Sequence, residues 1–242
     1  MKEIAHAVSF IFALTENLIT DNLIIGNCII GIIFKGVNMS VRDTAIDERL
    51  LQSAKKEFLK HGFLKADLKN ICDQAGVTTG AVYKRYKGKE ELFMAVVSKA
   101  VEKMDSFVEL RSEYDFTNLS DSAVRETWVM NKEYTLDMFK MMWDIREELI
   151  LLVEKSAGTV YESYEHDFSL KMTKAYMQFY NEAKKRNIAS VEINEKEMHV
   201  LCTSFWSSIY EPFIHKMTWK EIEKHCELVC RYFNWYKALE ID

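Results

Sequence analysis

Residues 75–92, with the sequence AGVTTGAVYKRYKGKEEL, combine turn-forming residues with positive charge. The stretch holds three glycines, two tyrosines and four basic residues in eighteen positions. Gly76 can adopt a positive φ and reverse the chain, after which Thr78 or Thr79 can cap a new helix. The stretch therefore predicts a tight turn followed by a short basic helix.

The residues before this turn predict two further helices. In DERLLQSAKKEFLKHG, residues 47–62, apolar side chains recur at helical spacing and Gly62 is a typical helix end. In DLKNICDQAG, residues 67–76, a second apolar face follows the N-cap candidate Asp67. Two short helices separated by a glycine turn and supported by a preceding helix are typical of a helix-turn-helix.

The predicted third helix has the chemistry of a DNA-reading helix. Its small first residues allow close approach to base edges, and the tyrosines and lysines that follow can reach phosphates. Lys89 lies at the predicted start of a fourth helix, where a cation opposes the helix dipole unless a phosphate is bound there. The predicted DNA-binding residues are Lys65, Thr78, Thr79, Gly80, Ala81, Tyr83, Lys84, Tyr86 and Lys89. A solvated basic turn in an ordinary helical bundle is the structural alternative.

The charge distribution separates a basic head from an acidic body. The whole chain of 242 residues has a net charge of −5. Residues 39–103 hold 13 basic and 9 acidic side chains, whereas residues 104–242 hold 17 and 25. A basic part of this kind favours a polyanionic partner, but charge alone does not choose between DNA, RNA and anionic lipid.

Residues 62–93, GFLKADLKNICDQAGVTTGAVYKRYKGKEELF, resemble the DNA-binding domain of the tetracycline-repressor (TetR) family of bacterial regulators. The resemblance covers residues 46–97 and is carried by the glycine after helix one, the Ala-Gly-Val turn, the Gly-x-x-Tyr helix and the Lys-Glu-x-Leu start of helix four. It implies a transcriptional regulator, usually a repressor, that binds a double-stranded DNA operator as a homodimer. It also implies a ligand pocket in a helical body, a dimer interface in the last two helices, and no catalysis.

Four positions depart from the family pattern. Ala66 and Asp67 stand where the family usually has a hydroxyl pair, so a phosphate contact there is less expected than one from Lys65. Ala81 replaces a common Thr or Ser, and Tyr86 replaces the usual Phe. Because residues 78–81 include no arginine, specificity is expected to depend on Thr78, Thr79, Lys84 and DNA shape.

The rest of the chain predicts an all-α fold. After Lys89 the sequence has one glycine, Gly158, and one proline, Pro212, too few for the turns of a β protein. The domain boundaries are predicted at 39–97 for the helix-turn-helix domain and 98–242 for a helical effector-binding and dimerisation domain. Helix four is predicted to be the only obvious mechanical link between the two.

Two capping boxes predict a hairpin of helices at 194–211 and 218–239, separated by Pro212 and the residues after it. Their apolar stripes include Phe205, Trp206 and Phe233. Such stripes are expected to be covered by a second copy of the chain, which makes this hairpin the predicted homodimer interface.

The middle helices, residues 121–187 with a break near 155–163, are rich in methionine and aromatic residues. Core packing is the default role of each residue taken singly, but some of the set must line any pocket. The pocket is expected to suit a hydrophobic or aromatic small-molecule effector, and a cationic one is compatible with the aromatic rings. The predicted ligand-binding residues are Trp128, Tyr134, Met138, Met142, Trp143, Tyr161, Tyr164, Phe168 and Tyr176.

No catalytic residue, metal site or cofactor is predicted. For a helical enzyme the most suggestive residues are Asp144, Arg146, Glu147, Glu148 and His166, but they fall on the solvated side of helices and belong to no recognised motif. Cys226 and Cys230, near His225, are either half of a metal or redox site or buried free cysteines. An odd total of five cysteines favours a reducing compartment and hence the cytoplasm.

Residues 1–38 differ in character from the rest. They are rich in Ile, Leu and Phe, yet the longest apolar run, residues 18–34, contains a carboxylate and is shorter than the about 20 residues that span a bilayer. Because Met39 begins an ordinary soluble sequence, residues 1–38 are interpreted as a non-native upstream extension. A membrane anchor, which would make the protein a membrane-tethered regulator, and an additional packed helix are the alternatives.

Overall fold

The computed structural model describes residues 44–242, and within this range the chain forms helices and no sheet. The predicted all-α fold is confirmed. The predictions for residues 1–38 lie outside the described range. Within residues 44–242 no helix is long and apolar enough to cross a membrane. The helices are α1 Thr44–Lys65, α2 Leu68–Ala75, α3 Thr79–Tyr83, α4 Lys89–Ser112, α5 Asp121–Glu126, α6 Lys132–Asp144, α7 Arg146–Glu154, α8 Tyr164–Lys185, α9 Glu195–Ile214, α10 Trp219–Tyr232 and α11 Trp235–Ala238.

The break after helix one is at Gly62, as predicted. Gly62 has φ 71° and ψ 164°, so the last turn of α1 has a different direction from the helix before it. α2 begins at the predicted cap, because the Asp67 carboxylate accepts a hydrogen bond from the amide of Lys69 at 2.7 Å. The buried Glu57 accepts from the amide of Asp67 at 3.1 Å and thereby fixes the start of α2 against α1.

The turn between α2 and α3 also has the predicted geometry. Gly76 is left-handed, with φ 66° and ψ 38°, and its amide contacts the last carbonyls of α2. Thr78 caps α3 by accepting from the amide of Ala81 at 3.2 Å. Val82 is completely buried and holds the five-residue helix α3 on the head. Such a short helix is unstable alone, so its direction is set by these contacts.

α4 connects the head to the body. Its buried stripe contains Leu92, Phe93, Val96, Val97, Ala100, Met104, Phe107 and Val108. The first half of this stripe packs against α1, and the helix also packs against α7 and α8 of the body. A helix of 24 residues is about 36 Å long, so one rigid element reaches from the recognition domain into the body.

The predicted ends of the C-terminal hairpin are wrong by a few residues. α9 does not end before Pro212 but includes it and continues to Ile214. Proline has no amide hydrogen for the carbonyl of Ser208, four residues earlier. The imidazole Nε2 of His225 on α10 lies 2.8 Å from that carbonyl oxygen and takes the place of the missing donor. α10 ends at Tyr232, and residues 235–238 form the separate helix α11.

The apolar stripes of the hairpin are covered within the chain itself. Phe205 and Trp206 of α9 are buried, and so is Val229 of α10. The cover comes from α8, which packs against α9, and from α6, which packs against α10. The expectation that a second copy must cover these stripes is therefore wrong. The apolar side chains that stay exposed on the hairpin are Val200 (64%), Leu228 (54%) and Tyr232 (81%).

Candidate DNA-binding surface and effector site

The structure places most of the predicted DNA-binding residues on one end of the head. Lys65, Thr78, Thr79, Gly80 and Lys84 are exposed, and Tyr83 is 58% exposed. Ala81, Tyr86 and Lys89 are half-buried. Thr78 accepts a hydrogen bond as the helix cap, and its hydroxyl hydrogen can still be donated. The exposed set combines two threonine hydroxyls with lysine and tyrosine, which are groups that bind base edges and phosphates.

Lys89 has a structural role that its position in the sequence does not reveal. Its ammonium donates hydrogen bonds to the carbonyls of Leu64 at 3.2 Å and of Ala66 at 3.0 Å, and it lies 4.7 Å from the ring centroid of Phe63. These carbonyls belong to the break after α1, so Lys89 joins that break to the start of α4. Its third N–H donor can point to a phosphate, and the predicted DNA contact stays a prediction.

Arg85 positions the recognition helix and was not among the predicted residues. Its guanidinium forms an ion pair with Asp47 of α1 and donates to the carbonyl of Ala81 at 3.2 Å. Because both partners are within the head, Arg85 fixes the end of α3 to α1. Its place three residues after the buried Val82 is the sequence signal for an inward-facing side chain.

A second link joins the head to the body, so the expectation that α4 is the only link is wrong. The amide of Phe63 donates to the carbonyl of Lys155 at 3.0 Å, and the amide of Val160 donates to the Glu90 carboxylate at 3.0 Å. Lys55 of α1 pairs with Glu147 at 3.1 Å and Glu148 at 3.0 Å on α7. The segment 155–163, which precedes α8, is therefore in direct contact with the recognition domain.

The nine predicted ligand-binding residues form two groups of three, a pair of buried methionines, and Trp143 by itself. Tyr161, Tyr164 and Phe168 follow one another, with ring centroids 6.0 Å and 6.3 Å apart. Trp128 lies 6.3 Å from Tyr176, and Tyr134 is near the same ring. Met138 and Met142 are buried between helices as core residues. Trp143 is separate from both groups, because it packs against Trp219 of α10 at 5.5 Å.

A cavity of about 300 Å³ lies beside one of these groups. Its volume is at the lower end of the range for small-molecule sites. Of the nine predicted residues Trp128 alone contributes to its wall. The lining is Trp128, Val129, Met130, Cys230, Asn234, Trp235 and Tyr236. The contribution of α11 and the chain before it was not predicted, because residues 218–239 were taken as one helix.

Arg111 lies among the aromatic residues of the body and was also missed. Its guanidinium donates to the Tyr134 hydroxyl, and its carbon Cζ lies 5.8, 5.5 and 5.6 Å from the ring centroids of Phe107, Tyr134 and Phe179. Burial acts to lower the pKa of Arg111, but the neighbouring tyrosines outweigh it, so its pKa is raised and the group stays charged. Arg111 continues the buried stripe of Met104, Phe107 and Val108 at helical spacing. This spacing was the sequence signal that its side chain faces the body.

The residues considered for catalysis or metal binding have structural partners or face solvent. Glu148 pairs with Lys55, and the Arg146 guanidinium donates to the Trp143 carbonyl at 2.6 Å. Asp144, Glu147 and His166 are exposed. The buried Cys226 lies 3.7 Å from the Lys132 carbonyl, and burial raises the pKa of its thiol to about 12. Within residues 44–242 no group of side chains has the arrangement of a metal site.

The family comparison agrees with the geometry of the head. Residues 50–96 match the family model of bacterial regulatory proteins, tetR family. No curated protein matches the chain.

Solved structures of three regulators have a similar fold. They are NalD, the secondary repressor of the MexAB-OprM multidrug efflux pump in Pseudomonas aeruginosa (15% identity, TM-score 0.53, covering 78% of this chain and 94% of NalD); SCO3833, a TetR-family regulator from Streptomyces coelicolor (14%, 0.54, 83% and 94%); and SmeT, the repressor of the Stenotrophomonas maltophilia multidrug efflux pump SmeDEF (18%, 0.52, 79% and 88%). At these identities the likeness shows the fold.

The fold and the helix-turn-helix together define a DNA-binding transcriptional regulator. Within that class, residues 50–96 are a DNA-binding domain of the TetR family of bacterial regulators.

Proposed function

We propose that the protein represses transcription in the cytoplasm by binding a near-palindromic DNA operator as a homodimer, and that a small-molecule effector releases it. The observation that carries this proposal is the exposed face of α3, where Thr78, Thr79, Tyr83 and Lys84 are free to contact DNA. This face is held on a rigid head by Val82 and by the Arg85–Asp47 ion pair. Such preorganisation favours binding in a single register.

The exposed apolar residues of the hairpin support the homodimer. Val200 on α9 and Leu228 and Tyr232 on α10 are the large apolar side chains that the chain leaves exposed there. Pairing of α9 and α10 with their symmetry mates would bury these side chains in a two-fold interface. A two-fold dimer presents two recognition helices to successive major grooves, which requires an operator with two half-sites.

Release by an effector is supported by the connection between the body and the head. Of the aromatic residues that we propose as the ligand site, Tyr164, Phe168 and Tyr176 belong to α8, which packs against α4. Tyr161 belongs to the segment 155–163, which contacts the head. A ligand that displaced either element would change the separation of the two recognition helices. The coupling must be reciprocal, so operator DNA should weaken effector binding by the same factor.

A gel-shift experiment on the DNA upstream of the protein's own gene tests the proposal. The wild-type protein is expected to shift this fragment at concentrations that leave an unrelated fragment of equal length unbound. Light scattering of the same sample should give the mass of a dimer at micromolar concentration. Equal binding to both fragments, or a monomer that binds as tightly, would contradict sequence-specific binding by a dimer.

A further inference from the structure

Arg111 carries a positive charge that no carboxylate within residues 44–242 neutralises. Its hydrogen-bond partner is the Tyr134 hydroxyl, and its other neighbours are the faces of aromatic rings. Arg111 is half-buried, and its place in the last turn of α4 and the cation–π contacts each offset part of the cost of partly removing the charge from water. They supply no negative counter-charge, so the guanidinium is still suited to charge-assisted hydrogen bonds with an anionic partner.

The surroundings of Arg111 also contain more hydrogen-bond donors than acceptors. A guanidinium has five N–H donors, of which one has an acceptor within residues 44–242, and because Arg111 is half-buried the other donors are open to a ligand or to water. The indole nitrogens of Trp128 and Trp206, which can only donate, are buried and have no partner within the described residues. Trp206 packs on Phe107 at 5.3 Å and Trp128 packs on Tyr176 at 6.3 Å, so both belong to the aromatic layer around Arg111.

We infer that Arg111 and this aromatic layer form the binding site for the carboxylate of an organic acid with a flat or apolar body. A carboxylate has two oxygens in the plane that a guanidinium fork contacts, and it supplies acceptors and a counter-charge for Arg111. The surrounding rings suit the apolar remainder of the molecule. A cationic effector fits poorly, because the ring faces that would attract it already face Arg111.

This assignment rests on the proposed ligand response and gives it a chemical class. α4 holds Arg111 in its last turn and Lys89, the contact to the head, in its first. An acid drawn to Arg111 therefore acts on the helix that carries the recognition domain. A ligand bound at Arg111 and the movement of the head would therefore involve the same rigid helix, α4.

Matched pairs of probes test the inference on the full chain. The pairs are 2-naphthoate with 2-naphthamide, indole-3-acetate with indole-3-acetamide, and octanoate with octanamide, and benzyltrimethylammonium is the cationic probe. Calorimetric titration is expected to show at least one carboxylate binding about tenfold or more tightly than its amide, as expected for charge-assisted hydrogen bonds. Arg111→Gln should remove this preference. Lys174→Gln, which removes an exposed charge elsewhere on the body, should retain it.

Each result supports or overturns the inference. Equal binding of acids and amides, tighter binding of the cation, no binding of any of the three acids, or an acid preference that persists in Arg111→Gln would overturn it. If Arg111→Gln does not fold, Arg111→Lys keeps the charge without the planar fork and should weaken the acid by several-fold while amide binding stays unchanged. Operator release is measured separately by fluorescence anisotropy. An amide or cation that releases DNA would support the ligand response and overturn the acid class, whereas an acid that binds through Arg111 without releasing DNA would contradict only the response.

Discussion

The amide of Phe63, which follows the break at Gly62 in α1, donates a hydrogen bond of 3.0 Å to the carbonyl of Lys155, at the end of α7. This bond joins the recognition domain to the body at a point 92 residues away along the chain. Next to it, Leu64 of the head lies against Gly158 of the body. The head is therefore held from two sides, by α4 and by the segment 155–163, and a ligand in the body has two routes by which to move it.

Substituting Gly158 should weaken the contact between the segment 155–163 and the head. Gly158 has φ 83°, and an added Cβ would lie 2.5 Å from Cδ2 of Leu64. Because Leu64 is a flexible, exposed side chain, most of the expected cost comes from the backbone, about 1–2 kcal/mol for a residue with a side chain in this region. Gly158→Ala should therefore lower the free energy of unfolding, measured by denaturant titration.

Gly88→Ala is the matched control for Gly158→Ala. Gly88 has φ 170°, an extended value, and no heavy atom lies within 4 Å of its added Cβ. Because glycine is preferred to alanine at an N-cap, Gly88→Ala should lose about 0.5–1 kcal/mol from the weaker cap, without the cost of a left-handed backbone or a steric contact. Equal losses in the two variants would contradict the assignment of strain to Gly158.

The exposed residues on and beside α3 should divide into those that contact phosphates and those that contact base edges. Lys84→Ala should weaken binding to operator and unrelated DNA together, and should reduce the slope of log affinity against log salt by about one. Thr79→Ala should reduce the ratio of the affinity for operator DNA to the affinity for unrelated DNA. Anisotropy titrations at several salt concentrations measure both effects, with the exposed Lys174→Ala of the body as control. A preference unchanged in Thr79→Ala would remove that residue from the reading face.

The sequence predicted the head far better than the body, for physical reasons. Helix-turn-helix geometry is local: Gly76, Thr78, Asp67 and Val82 each determine the backbone within a few residues, and each behaves as predicted. The effector site depends on contacts between distant helices. The aromatic composition indicated apolar packing, but the separation of Trp143 from Tyr176 follows from helix packing that no short pattern encodes.

Lys89 stands at the start of α4, as the sequence pattern of a phosphate-binding lysine requires, but the structure gives it a role within the fold. A lysine at a helix start suggested a bound phosphate, yet its ammonium binds two carbonyls 23 and 25 residues earlier in the chain. Lys89→Met keeps the apolar stem and removes the donors, so it should destabilise the fold by about 1–3 kcal/mol. Denaturant titration without DNA measures this cost. An unchanged stability together with a large loss of DNA affinity would show that the phosphate role dominates.

The contact between His225 and the Ser208 carbonyl predicts that the stability lost in His225→Phe can be partly restored by a second substitution, at Pro212. Pro212 cannot donate to the Ser208 carbonyl, and His225 Nε2 does so at 2.8 Å. His225→Phe keeps a ring against Phe139, which the imidazole contacts edge to face at 6.1 Å, but it removes the donor. The half-buried carbonyl then loses its partner, with an expected loss of about 1–3 kcal/mol in the free energy of unfolding.

Pro212→Ala should reverse part of that loss, because alanine returns the amide hydrogen that a helix normally supplies to Ser208. In the protein that retains His225, Pro212→Ala should add little or no stability through the restored amide, since the Ser208 carbonyl already accepts from His225. The four proteins form a double-mutant cycle whose coupling energy, measured by denaturant titration, is expected to be about 0.5–3 kcal/mol. Pro212→Ala also raises helix propensity in both backgrounds, but that contribution cancels in the cycle. Strictly additive losses would mean that His225 stabilises α9 through its ring packing alone.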